Sequence, residues 1–373
     1  MKRTALLGLA ATALMSFVGA ASAKEFLITS VTELTGAVAS QGIPLSRGMK
    51  IAADEINETG YLGEDKVKLV QLDDASDRGQ AALLVKRAAS DDSLAIIGTA
   101  TGYTSLSIAP LANELKVPLM GMVYSPDLLA PGPWSLKITS SDDSHTVALA
   151  RYAATKVKPK RCLIIYARDN PGFVAQYKTF REYTEKLGVQ YIGVEAISLQ
   201  DTDFTALATK IASMNPDCLH ISTLAPAGAN LIQQALAAGM SPTTKIFSGG
   251  GFANASLIQV GGKAVEGVIM VTDYAPGGIN EEGRKFEADY RKAYGTAPEN
   301  WSAVGYTQMK LIAWAIKKVG RDVTRETLRE AMSNVTDWHN IIGTSGLMTI
   351  TSRMPEYDPA IITVNDGKFV NAP

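Results

Sequence analysis

Short apolar runs alternate along the chain with longer segments in which apolar residues recur at helical spacing. The short runs predict strands and the periodic segments predict helices. A first unit has predicted strands and helices at residues 25–31, 45–58, 66–74, 79–91, 94–101, 104–115 and 117–123. A second unit continues the alternation at residues 145–157, 161–167, 172–188, 189–197, 204–214, 217–223, 227–239, 244–250 and 264–274. This order favours parallel sheets with helices on both faces.

The restart of the pattern predicts two α/β units in tandem, followed by helices at 281–295 and 303–320. We therefore expect two doubly wound parallel-sheet lobes with a ligand cleft between them. In open α/β sheets, ligands bind outside the carboxyl ends of the strands and at helix N-termini. A cleft between two such lobes would be lined from both sides.

The N-terminal segment has the pattern of an export signal. Lys2 and Arg3 precede an apolar run at 5–20, and Ala21-Ser22-Ala23 fits a small-x-small cleavage site. The alternative is a membrane anchor, for which the apolar run is short. We expect a signal peptide at 1–23 and a periplasmic location. Disulfides are permitted there, so Cys162 and Cys218 could pair, although two buried thiols are the favoured interpretation.

Composition and motifs argue against several functions. The formal net charge is −1, so no basic face for nucleic acid is indicated. The chain has no P-loop and no nucleophile elbow. None of His145, His220 and His339 has a metal-ligand spacing, and His220 in an apolar strand is interpreted as a core residue. Asp73 and Asp74 are adjacent on a strand and point opposite ways. We expect no enzyme activity and no cofactor.

Several stretches together resemble the leucine/isoleucine/valine-binding protein family, the periplasmic receptors of ABC importers. The similar stretches are residues 34–57, 69–98, 157–173, 201–217 and 252–257. The resemblance covers essentially the whole chain after residue 23. It implies a type I periplasmic binding protein fold and a receptor that closes on one small solute and delivers it to a membrane permease. We expect a monomer.

The resemblance also implies how the chain divides between the lobes. Three crossings would form a hinge near residues 139–144, 272–276 and 343–346. The N-terminal lobe would comprise 24–141 plus 275–344, and the C-terminal lobe 142–274 plus 345–373. Residues 347–370 would return to the C-terminal lobe as antiparallel edge strands.

In this family the first lobe holds the ligand carboxylate in the loops after its third and fourth strands. Those loops are residues 99–105 and 122–127 here, and the alternative is that Thr104 and Ser105 only cap a helix. Phe173 follows Pro171, which stands where many members have an aromatic residue. The full set of candidate ligand contacts is Gln41, Gly102, Tyr103, Thr104, Tyr124, Ser125, Asn170, Phe173, Gly250, Phe252, Asp273 and Trp301.

Two departures from the family pattern are informative. Ser76 and Thr101 occupy the positions of a first-lobe disulfide, so that bridge is missing. Gly250 occupies the position of the acid that pairs with the ligand ammonium in the amino-acid receptors. Without a counter-charge a buried ammonium costs several kcal/mol, so either Asp169 or Asp273 serves or the ligand has no ammonium. The glycine also predicts room for a larger ligand.

These departures favour an aromatic, benzoate-like acid or another apolar carboxylate as the ligand. The alternative is a branched-chain or aromatic amino acid with Asp169 or Asp273 as its ammonium partner. A ligand-sensing receptor without transport and an enzyme on the same scaffold are the remaining classes.

Overall fold

The computed structural model describes residues 23–373, so the predicted signal peptide lies outside the described residues except for Ala23. The first sheet is parallel, with strand order β2-β1-β3-β4-β5. Its strands are β1 (Glu25–Thr32), β2 (Lys66–Asp73), β3 (Ala95–Gly98), β4 (Leu119–Gly121) and β5 (Ser135–Lys137). Its first three helices are α1 (Ala39–Glu58), α2 (Arg78–Ser90) and α3 (Gly102–Glu114).

The second sheet has seven strands, in the order β15-β14-β10-β9-β8-β6-β7. Its parallel strands are β6 (Arg161–Ala167), β7 (Gln190–Ile197), β8 (Cys218–Ser222), β9 (Lys245–Ser248) and β10 (Ile269–Thr272). Its antiparallel strands are β14 (Ala360–Asn365) and β15 (Lys368–Asn371). Its helices are α4 (Asp142–Tyr152), α5 (Pro171–Glu185), α6 (Thr205–Met214), α7 (Ala225–Ala237) and α8 (Ala255–Gly261). The predicted pair of α/β lobes is confirmed.

The first lobe is completed by chain that comes after both units. It contains α9 (Glu281–Tyr294), α10 (Asn300–Val319), α11 (Arg325–Ser333) and an antiparallel sheet of β11 (Val335–His339), β12 (Leu347–Thr351) and β13 (Met354–Glu356). Helices α1 and α10 pack closely because Gly48 lies directly against the Ser302 carbonyl and Gly305 against the Leu45 carbonyl. Within residues 23–373, no helix is long and apolar enough to cross a membrane.

The third crossing lies later in the chain than the prediction of 343–346. Met348 and Ile350 of β12 and the nearby Tyr357 are buried in the first-lobe core. Residues 345–357 therefore do not belong to the second lobe, and only 360–371 joins its sheet as edge strands. The resemblance implied antiparallel strands in this segment correctly, but it placed all of them in the second lobe, whereas β12 and β13 pair with β11 of the first lobe.

Cys162 and Cys218 form a disulfide, so the favoured interpretation as two thiols is wrong. The two residues are direct partners in the register of β6 and β8, with Cα atoms 4.6 Å apart. His220, two residues later, is a buried core residue as predicted. Its ring stacks on Phe180 with centroids 4.0 Å apart, and burial lowers its pKa to about 3.

Candidate ligand site between the lobes

The candidate anion site of the first lobe is the N-terminus of α3, which is separated from the end of β3 by three residues. Thr101 is the N-cap residue, and no side chain caps the first turn. Ser105 does not cap the helix, since its hydroxyl accepts a hydrogen bond from the Thr99 N–H at 2.9 Å. Thr104 is buried and its hydroxyl contacts the Thr101 hydroxyl at 3.2 Å. The N–H groups that start at Gly102 are therefore available to an anion.

Two of the predicted first-lobe contacts are engaged in other interactions. The Tyr103 ring is 42% exposed and stacks against the Arg78 guanidinium at 4.0 Å. The Ser125 hydroxyl caps the short 3-10 helix Pro126–Leu129 by accepting a hydrogen bond from the Asp127 N–H at 3.1 Å. These contacts do not bring Tyr103 or Ser125 to the other predicted ligand-contact residues.

Tyr124 reaches from the first lobe to the second. Its hydroxyl oxygen lies 2.8 Å from where a Cβ atom on Gly250 would be placed. The same hydroxyl donates a hydrogen bond to Asp273 Oδ2 at 2.8 Å. The phenol therefore occupies the space next to Gly250. The expectation that this glycine leaves room for a larger ligand is wrong, because a side chain of the opposite lobe fills that room.

Asp273 is fully buried between the lobes, and each of its oxygens has two partners. Oδ2 accepts from Tyr124 and from Asn300 Nδ2 at 3.1 Å. Oδ1 accepts from the Tyr357 hydroxyl and lies 2.8 Å from His145 Nε2. Burial raises the pKa of this carboxyl, but His145 and the tyrosine hydroxyls outweigh burial and hold the pKa below its usual range. Both oxygens of the Asp273 carboxylate are therefore already occupied by contacts with protein groups.

Asp169, the other alternative partner for an ammonium, also has its own contacts. Its carboxylate accepts a hydrogen bond from the Ser198 hydroxyl at 2.7 Å and from the Leu199 N–H at 3.0 Å. These bonds tie the end of β6 to the turn after β7. Both acids that could replace a carboxylate at position 250 are thus used in structural hydrogen bonds.

The second-lobe candidates divide between the site and the core. Asn170 caps α5 by accepting from the Gly172 N–H at 2.9 Å, and Phe173 lies beside Gly251. Phe252 is fully buried in the second-lobe core, with its ring directly against Gly228 of α7. The prediction that Phe252 faces the cleft is therefore wrong, since a glycine on α7 opens a space for its ring on the core side.

Gln41 and Trp301 are both buried near the starts of α1 and α10. They are 2% and 5% exposed, and Gln41 Oε1 and Trp301 Nε1 have no hydrogen-bond partner in the protein. Trp301 belongs to the first-lobe core. Unpaired buried polar atoms are costly, which keeps both residues as candidates for contact with a bound polar group.

Sequence reasoning missed Thr223 and Gln176. Thr223 directly follows β8, is fully buried, and its hydroxyl has no partner in the protein. Its carbonyl oxygen lies 2.7 Å from where a Cβ atom on Gly251 would be placed. Gln176 packs its amide directly against Gly249. A hydroxyl residue at the carboxyl end of a buried strand was the available signal for Thr223.

A second missed feature joins the lobes beside the site. Asn254 Nδ2 donates to the Ser40 carbonyl of α1 at 2.6 Å and to Glu299 Oε1 at 2.8 Å. Glu299 Oε2 accepts from the Ala255 N–H at the start of α8. Burial raises the pKa of Glu299 to about 8.

The positions of the missing first-lobe disulfide carry hydroxyl groups that bind the loop between β1 and α1. The Ser76 hydroxyl donates to the Thr35 carbonyl at 2.8 Å, and the Thr101 hydroxyl donates to Glu33 Oε1 at 2.8 Å. Hydrogen bonds therefore hold these loops together at the two positions.

The comparison with known proteins fits the two-lobed geometry. Residues 28–368 match the periplasmic binding protein family. The chain belongs to this family. A relative named as an amino acid binding protein, from Pseudomonas aeruginosa, is 27% identical over 291 residues, which is 77% of this chain and 76% of the relative.

Solved structures of periplasmic binding proteins have the same fold. A leucine binding protein from Thermotoga maritima is 27% identical, with a TM-score of 0.84 over 93% of this chain and 98% of that chain. A solute binding protein of an ABC transporter from Rhodopseudomonas palustris, in complex with 3,4-dihydroxy benzoic acid, is 22% identical, with a TM-score of 0.82 over 93% of this chain and 95% of that chain. The chain thus has the type I fold of the periplasmic binding proteins.

Proposed function

We infer that this periplasmic binding protein takes up a small carboxylate with an apolar, aromatic body and no ammonium group, such as a benzoate derivative. The observation that carries this proposal is the Tyr124 phenol beside Gly250. It occupies the space where an acidic side chain would project from the second lobe. The receptor then hands the ligand to the membrane permease of an ABC importer.

The ligand carboxylate is assigned to the first turn of α3. Gly102 allows close approach to the N–H groups there, and the positive end of the helix dipole favours an anion. Thr223 and Phe173 of the second lobe supply a free hydroxyl and an aromatic face on the other side of the cleft. A few convergent polar groups on an otherwise apolar wall are typical of small-ligand sites.

An aromatic acid is also supported by the dihydroxybenzoate complex of the Rhodopseudomonas palustris protein. The second candidate is a branched-chain or aromatic amino acid, which is supported by the names of relatives such as the Escherichia coli Leu/Ile/Val-binding protein. That ligand requires an ammonium partner, and Asp169 and Asp273 are both already hydrogen-bonded within the protein. We therefore rank the aromatic acid first.

A thermal-shift experiment with matched ligands tests the proposal. Phenylalanine and 3-phenylpropionate differ only in the ammonium group, and benzoate and 3,4-dihydroxybenzoate extend the acid series. A ligand at a hundred times its Kd stabilises the folded state by about 2.7 kcal/mol. We expect Tm to rise with the acids and to stay constant with phenylalanine and leucine. A rise with the amino acids alone would refute the assignment, and so would the absence of a rise with every acid.

A further inference from the structure

The ligand turn of the first lobe contains a buried carboxyl group that the proposed binding mode does not use. Glu33 follows β1 and is fully buried. Its Oε2 atom accepts a hydrogen bond from the Ala100 N–H at 2.7 Å, and its Oε1 atom accepts one from the Thr101 hydroxyl at 2.8 Å. Both donors belong to the turn between β3 and α3.

These hydrogen bonds place the carboxyl next to the assigned anion site. Thr101 is the N-cap residue of α3, and Gly102 is the first residue of the helix. Successive Cα atoms are about 3.8 Å apart, so Glu33 holds the residues that immediately precede the first available N–H groups. A ligand carboxylate bound at these groups would therefore lie close to Glu33.

The charged groups around Glu33 do not compensate its charge. Burial and, to a smaller extent, the nearby Asp74 carboxylate raise the pKa of Glu33 to about 7, although the hydrogen bonds from Ala100 and Thr101 act to lower it. Asp74 is itself fully buried, and burial with the charges of Asp73 and Asp77 raises its pKa to about 6. Arg78 at the start of α2 directs its guanidinium onto the Tyr103 ring instead. Glu33 therefore changes its protonation near neutral pH.

We propose that Glu33 is the positioning residue of this turn and that it takes up a proton from the solvent when a ligand carboxylate binds. This inference rests on the proposed function for the location of the anion. A second negative charge at the start of α3 opposes the ionised form of Glu33, so binding favours the protonated form. By linkage, a group that gains a proton on binding makes the affinity fall as pH rises.

The expected result is a pH profile of affinity with a defined slope. For one proton taken up, Kd rises by at most about tenfold per pH unit above the pKa of the free group. With benzoate as the probe, we expect Kd of the wild-type protein to rise at least threefold between pH 7 and pH 8, about 0.5 log units. Benzoate is fully ionised over this range and contributes no slope of its own.

Glu33→Gln tests the role with a side chain of the same shape and no charge. We expect its Kd for benzoate to be constant between pH 7 and pH 8. Asp54→Asn is the matched control, because Asp54 is an exposed acid of the same lobe paired with Lys50, and it should retain the wild-type slope. Calorimetry in two buffers of different ionisation enthalpy should show proton uptake in the wild type and none in Glu33→Gln. Equal slopes in wild type and Glu33→Gln would overturn the proposal.

A measurement without ligand separates this inference from the proposed function. The amide NMR signals of Ala100 and Thr101 should titrate with a midpoint near pH 7 in the free wild-type protein and should not titrate in Glu33→Gln. If these signals titrate but benzoate does not bind, the proposed ligand and its coupling to Glu33 are both refuted. The role of Glu33 in holding the turn is then retained. If the signals do not titrate, the positioning role is refuted whatever the ligand.

Discussion

The hydroxyl of Tyr124 donates to the carboxylate of Asp273 across 2.8 Å, which links the loop after β4 of the first lobe to the chain crossing after β10. Tyr357, near the third crossing, donates to the same carboxylate, and His145 of the second lobe contacts it at 2.8 Å. One buried acid thus joins the segments that connect the lobes. The position of the Tyr124 ring in the cleft depends on this acid.

Tyr124→Phe removes only the hydroxyl that Asp273 accepts. A hydrogen bond to a charged group contributes about 1.5–3 kcal/mol, so we expect the free energy of unfolding to fall by about 2 kcal/mol in urea denaturation. Tyr103→Phe is the control, since its ring is 42% exposed, and its effect should stay within about 0.5 kcal/mol. Equal stabilities of the two variants would contradict the link.

Gly250→Glu restores an acidic side chain at the position that Tyr124 occupies. We expect it to displace the phenol and to weaken benzoate binding more than tenfold, about 1.4 kcal/mol, as measured by calorimetry. Gly79→Glu adds the same side chain at an exposed position in the first turn of α2 and should leave Kd unchanged. An unchanged Kd in Gly250→Glu would show that this glycine lies outside the site.

The Cys162–Cys218 disulfide closes a loop with a sequence separation of 56 residues. The chain-entropy relation gives a stabilisation of about 4 kcal/mol for such a loop. We expect the double variant Cys162→Ala/Cys218→Ala, and the wild type with reductant, to lose stability by a similar amount in urea. Reductant should not affect the double variant. A wild type that is insensitive to reductant under unfolding conditions would contradict the pairing.

Glu299 predicts a pH dependence of stability. Its pKa is raised in the folded protein to about 8 from an ordinary value of 4.5. The folded state then binds more protons than the unfolded state, so stability is lost as pH rises from about 4.5 to about 8. Glu299→Gln should flatten this part of the profile in denaturation measured at several pH values. Glu58 is an exposed glutamate on α1, so the control variant Glu58→Gln should keep the wild-type profile. Parallel profiles for the wild type and Glu299→Gln would contradict the raised pKa of Glu299.

The sequence predicted the two α/β lobes well because strands appear as short apolar runs and helices as segments with apolar residues at helical spacing. The lobe of β12 and β13 was taken from the family resemblance and was wrong, since the buried Met348 and Ile350 belong to the first-lobe core. Phe252 was misplaced for a related reason, because the space for its ring depends on Gly228 in another helix. The family resemblance predicted that Gly250 stands where the amino-acid receptors have an acid. The phenol that fills its place comes from residue 124 and required the three-dimensional structure.

The three glycines at 249–251 each admit a different neighbour: the Gln176 amide, the Tyr124 phenol, and the Thr223 carbonyl with Phe173. No single substitution in this run leaves its neighbour in place. An acidic side chain at position 250 would meet the Tyr124 hydroxyl and displace it. Any side chain added in this run would therefore have to move a group from another segment of the chain, which ties the shape of this loop to glycine.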